Sequence, residues 1–103
     1  MNRLVVAAVF TAIACVADAS EPASYKPAIG YVPDAKAAVA IAYAVALPIY
    51  GAATLSSEMP LFGTLKRGIW TVEGTFHGTG VGGVMTMRID QRSGAILYVM
   101  HGK

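Results

Sequence analysis

One cysteine, Cys15, and two histidines, His77 and His101, are the whole stock of thiol and imidazole in this chain of 103 residues. A lone cysteine excludes an internal disulfide and a thiolate metal site. Acids are scarce as well: Asp18, Glu21, Asp34, Glu58, Glu73 and Asp90 are all there are. With so few possible ligands, no metal and no cofactor is expected. Charged residues make up 14% of the chain against 55% hydrophobic ones. That balance excludes a disordered polymer, which is poor in apolar residues and rich in charge. The net charge is only +2. Lys26, Lys36, Lys66, Arg67, Arg88, Arg92 and Lys103 are scattered, with Lys66–Arg67 the one adjacent pair after the N-terminal segment. A nucleic-acid binder concentrates its basic residues on one face, so nucleic acid is not an expected partner.

What the N-terminus does have is an export pattern. Met1-Asn2-Arg3 is a short positive start. Leu4–Val16 follows as an uncharged apolar run, short of the roughly 20 residues that span a bilayer. Ala17-Asp18-Ala19 then fits a small-x-small cleavage site. Residues 1–19 are therefore expected to be a secretion signal, cut between Ala19 and Ser20 to leave a periplasmic or secreted protein without any thiol. The alternative is a lipoprotein. Ala12-Ile13-Ala14-Cys15 loosely resembles a lipidation box, with Cys15 as the anchored residue. Membrane contact is expected only through one of these two routes.

Residues 20–30 hold two prolines, two serines and a glycine and are expected to be a flexible leader. The domain is expected over residues 31–103. Asp34 is placed to cap a helix running over Ala35–Leu47, rich in alanine, with Ala38, Ile41 and Val45 on its inner face. Pro48 is expected to end or kink it and Gly51 to stop it. Residues 37–55 carry no charge, yet alanine content, Pro48 and Gly51 favour a core helix and turn over a membrane span.

Strand periodicity takes over after Pro60. Leu61–Lys66, Ile69–Phe76, Val84–Asp90 and Ala95–Met100 read as strands, the second and third alternating apolar and polar residues, separated by Lys66-Arg67-Gly68, a glycine loop and Gln91–Gly94. Trp70, Val72 and Phe76 share one face of the second strand. Short connections predict an antiparallel meander with its apolar side under the helix. The fold class is thus α+β, a helix on a sheet of three to four strands.

Chemistry is sparse. Gly78, Gly80 and Gly83 match G-x-G-x-x-G formally, but a strand follows where phosphate binding needs a helix N-terminus. Asp90 sits at a turn and is expected to bond local backbone. Glu73, in mid-strand beside Trp70 and Val72, is either a solvated-face acid or a pocket acid. No spacing supports a Ser-His-Asp arrangement, and no catalytic residues are expected.

Several segments together carry a resemblance. Tyr31-Val32-Pro33-Asp34 leads into the alanine-rich helix and then Pro48-Ile49-Tyr50-Gly51. Pro60-Leu61, Thr64-Leu65, Gly68–Thr75, Gly82-Gly83-Val84, Gly94-Ala95-Ile96 and a terminal His101-Gly102-Lys103 follow in order. This ordered set resembles the NTF2 fold immunity protein family of bacterial polymorphic-toxin systems, such as those with Rhs repeats, over about residues 31–103. The resemblance implies a small NTF2-like cone with a curved antiparallel sheet. It also implies stoichiometric neutralisation of a cognate toxin rather than catalysis. Candidate partner-binding residues are Lys66, Arg67, His77, His101 and Lys103. The alternative reading is a small NTF2-like ligand-binding or enzymatic domain, with a pocket around Glu73 formed with Tyr50, Trp70 and His101.

Overall fold

The computed structural model describes residues 23–103. The expected signal, Cys15 and the Ala19–Ser20 junction lie outside them. Asp34 caps helix α1 (Ala35–Tyr50): its Oδ1 accepts the Ala37 N–H at 2.8 Å, satisfying a donor that the first turn leaves over. The helix runs through Pro48, past the expected end at Leu47. Pro48 and Ala44 both face solvent, so the Ala44 carbonyl, deprived of its donor four residues on, is open to water. Gly51 does stop the helix. Its N–H reaches the Leu47 carbonyl at 2.9 Å with φ at +89°, a conformation open to glycine. A short helix α2 (Ala52–Ser56) follows. Among the described residues no helix is long and apolar enough to cross a membrane.

Four strands complete the domain: β1 (Phe62–Lys66), β2 (Ile69–Glu73), β3 (Met85–Asp90) and β4 (Ile96–His101). They form one antiparallel meander in the order β1-β2-β3-β4, the α+β architecture of a small NTF2-like fold. Arg67 and Gly68 both have positive φ, +52° and +77°. That is the pattern of a two-residue turn whose twist matches the flanking strands. At the β3–β4 turn, Asp90 Oδ2 accepts from the Ser93 N–H at 2.9 Å and the Ser93 hydroxyl at 2.8 Å. These bonds hold the Asp90 carboxyl below the usual carboxylate range. A bulge interrupts the β3–β4 register at Arg88/Ile89 and leaves Leu97 as the extra residue.

The inner sheet face buries Trp70, Val72, Met85, Met87 and Ile89 against α1. The helix presents Ala38, Ala42 and Ala46 as its fully buried stripe, with Ile41 and Val45 half-buried at the flank rather than central. Small side chains at the line of contact let the helix approach the large Trp and Met side chains, and the bulkier residues splay to either side. The domain is joined to the β3–β4 turn from its first residues: Tyr31 and Val32 N–H groups bond Arg92 and Gln91 carbonyls, each at 3.0 Å, and just before them the Gly30 N–H closes a local turn on the Pro27 carbonyl at 3.2 Å. One expectation about strand ends changes. Strand β2 stops at Glu73, not Phe76. Beyond it the Thr75 N–H turns to the Glu58 carbonyl at 2.7 Å and its hydroxyl to the Pro60 carbonyl at 2.6 Å. Phe76 therefore leaves the core face and is 43% exposed.

Candidate functional site

A cleft of about 520 Å³ opens where α2, the β2–β3 loop and the end of β4 meet. At its base is Glu58, 6% exposed. It follows α2 directly, and its backbone N–H bonds the Leu55 carbonyl at 3.0 Å. Its carboxylate is shared between two strands. Oε1 accepts the Met85 N–H at 2.7 Å, and Oε2 lies 2.6 Å from His101 Nε2. Gly74 lies against it, and a methyl group there would run into the Glu58 side chain. A buried carboxylate is tolerated only when its oxygens are matched by donors, and here both are.

His101 is the other half of the arrangement. Its Nδ1 lies 2.7 Å from the Gly102 carbonyl, and its ring tilts against Tyr50 with centroids 5.3 Å apart. A carbonyl oxygen only accepts, so Nδ1 carries a proton. One further proton lies between Nε2 and Glu58. The hydrogen bond to Glu58 and then that to Gly102 raise His101 above the ordinary histidine value; burial opposes them, and the carboxylate's charge adds a lesser push upward.

The rest of the cleft is internally bonded too. Ser57 Oγ donates to the Thr54 carbonyl at 2.6 Å, and His77 Nε2 lies 2.6 Å from the Met59 carbonyl. A general base, a nucleophile's activator or a metal ligand needs a free imidazole lone pair, and His101 has neither nitrogen free. Among the described residues no three His, Cys, Asp or Glu side chains gather as metal ligands. The arrangement serves to bind three segments to one another.

The candidate residues are distributed unevenly. Tyr50 and His101 meet beside the cleft. Trp70 is in the core, its indole Nε1 donating to the Val32 carbonyl at 2.8 Å. Glu73 pairs with Phe62 and Thr86 in the strand register, which places it on the outer sheet face, away from the cleft. The pocket acid is Glu58, which sequence reasoning passed over in the linker Ser56–Pro60. No spacing marks it; only its being the single acid between Asp34 and Glu73 could have drawn notice. In the glycine loop, Gly78 and Gly82 sit against the Phe76 ring and Gly83 against the Gly102 backbone. Those glycines are packing positions, and strand β3 follows them.

A second surface is built by the register alone. Side chains opposite one another across an antiparallel pair share a face. Lys66, Thr71, Arg88 and Tyr98 therefore lie on the side of the sheet away from α1. Lys66, Arg67 and Arg88 gather around Ile69 and Thr71, and the Arg88 guanidinium lies 4.7 Å from the Tyr98 ring centroid. Phe62 and Met100 extend this face, 46% and 40% exposed. Among the described residues no helix or strand packs over it. His77 and His101 are at the other end of the sheet, so the partner-binding candidates do not form one surface. Lys103 is exposed just beyond β4.

A family model described as NTF2 fold immunity protein matches residues 37–103, from the first turn of α1 to beyond β4. No curated protein and no solved structure matches the chain.

Proposed function

The chain belongs to the NTF2 fold immunity protein family, and from that premise we propose that it is an exported protein that neutralises a cognate toxin of the polymorphic type by stoichiometric binding. An immunity role in general goes with the family. The observation that carries the finer reading is the uncovered outer sheet face, which brings Lys66, Arg67 and Arg88 together with Tyr98, Met100 and Phe62. Aromatic and Met anchors beside arginine are what protein interfaces concentrate. The basic end calls for an acidic patch on the toxin, which it would steer into place. The occupied nitrogens of His101 support a role by binding rather than by catalysis.

Co-expression with a toxin encoded beside this gene tests the reading. Wild type is expected to protect the host and to co-purify in equal amounts. Arg88→Glu/Tyr98→Ala, folded by circular dichroism, is expected to lose protection. Lys66→Glu/Arg67→Glu is expected to slow association by about tenfold or more at low salt and much less at high salt. Protection by all three proteins alike would remove the outer face from the interface. No protection by wild type would count against the immunity reading for that toxin.

Export is proposed from Arg3, the apolar run and Ala17-Asp18-Ala19. Sequencing of the product recovered outside the cytoplasm is expected to start at Ser20. Acylated Cys15 as the first residue would make it a lipoprotein instead, and an intact Met1 in the cytoplasm would overturn both.

A further inference from the structure

We propose that Glu58 and His101 form a proton-operated clasp, which holds the end of β4 over the cleft while His101 is charged and lets it go when the shared proton leaves. The inference is independent of the toxin-binding reading. β4 is an edge strand, paired with β3 on one side only. Its residues are exposed or half-buried throughout, including Ile96, Leu97 and Tyr98. Among the described residues, the His101–Glu58 bond is the side-chain hydrogen bond that ties β4 to a segment outside the sheet. Close by, the Gly102 N–H bonds the Val84 carbonyl at 3.2 Å, and Gly83 lies against Gly102. These backbone contacts flank His101, so once its side chain lets go of Glu58 they alone hold the end of the strand.

The proton inventory makes the clasp two-state. Charged His101 offers Nδ1–H to the Gly102 carbonyl and Nε2–H to Glu58 Oε2. Neutral His101 has one N–H. Whichever tautomer forms, a ring lone pair then faces an oxygen at 2.6 or 2.7 Å, and two acceptors cannot share that distance. The ring or its partner must move. No other group takes over. Tyr50 faces the ring from α1, and His77 lines the same cleft from the β2–β3 loop. Lys103 follows in the chain, α2 contributes Thr54 but no ionisable group, and β3 contributes the Met85 amide.

The direction follows from the proton count. The folded protein holds the His101 proton more tightly than the unfolded chain does. The clasp is complete below about pH 6.5, the ordinary histidine value, and is lost as pH rises through the higher folded value.

Two measurements on the full chain test this. In a ¹⁵N NMR titration, with the His77 signal identified from His77→Gln, both His101 ring nitrogens are expected to be protonated at pH 6. Titration is expected above the ordinary histidine value. Amide exchange at Met85 and Gly102, corrected for its intrinsic pH dependence, is expected to lose about tenfold of its protection across that transition. In His101→Gln the corrected protection is expected to stay flat with pH. Titration of His101 at or below the ordinary value would overturn the clasp, as would corrected exchange in wild type that ignores pH. The wild-type measurements decide the matter even if His101→Gln does not fold.

Discussion

Trp70→Ala is expected to leave the domain unfolded or barely folded. Trp70 is 6% exposed and occupies the middle of the layer between α1 and the sheet, where its ring edge lies 3.5 Å from the space a side chain at Gly63 would take. Removing a buried aromatic side chain destabilises by about 3–5 kcal/mol through lost transfer energy and the cavity left behind. The substitution also strips the Val32 carbonyl of the indole donor at 2.8 Å, which adds about 1–3 kcal/mol if that oxygen stays dry. A small domain has a total stability of about 5–15 kcal/mol, and this one is short. Urea denaturation followed by circular dichroism measures the difference. Trp70→Phe, which keeps most of the packing and loses only the donor, is expected to fall near the smaller of the two figures. A loss below about 1 kcal/mol for Trp70→Ala would mean that the indole is not a core anchor.

The second large effect is expected at Glu58. Glu58→Ala removes the acceptor for both the Met85 N–H and His101 Nε2. Deleting one member of a buried ion pair typically destabilises by about 3–5 kcal/mol, because the partner is left uncompensated. The expected loss is toward the lower figure, since the His101 side chain is 27% exposed and reaches water once released. Glu58→Gln separates shape from charge. Its amide oxygen can still accept from Met85, while its NH₂ can face only a neutral His101 with a lone pair on Nε2. That variant is therefore expected to lose less stability than Glu58→Ala and to show a weaker decline in stability as pH rises from about 6.5. Chemical denaturation at pH 6 and pH 8.5 distinguishes the cases. Wild-type stability in Glu58→Ala at pH 6 would mean that the carboxylate is an incidental burial.

Much of the fold is local in origin, and that part was open to reading. Asp34 caps because a short carboxylate just before a run of helix formers has a ready N–H two to three residues on. The Arg67–Gly68 turn and the Asp90–Ser93 turn are short-range as well, and alternating residues on β2 and β3 put the apolar side under the helix. Pro48 does not end the helix, because the residue whose carbonyl it orphans, Ala44, faces solvent, and facing is set by the packing of the whole domain. Phe76 misled because the strand's end is set by Thr75 reaching Pro60 and Glu58, fifteen or more residues away.

The amino-acid sequence by itself determined the capped helix ahead of four strands, the antiparallel meander and the scarcity of thiol, imidazole and acid, but not the short helix α2. Each rests on propensity, periodicity or inventory, which need no knowledge of distant neighbours. Tertiary structure alone decided which acid matters. Glu58 and His101 are 43 residues apart, and only the seating of the segment after α2 against the ends of β3 and β4 brings them together. It likewise decided that Lys66, Arg67 and Arg88 join Tyr98 on one face, because that grouping follows from strand register, and register is fixed by burial of the opposite side.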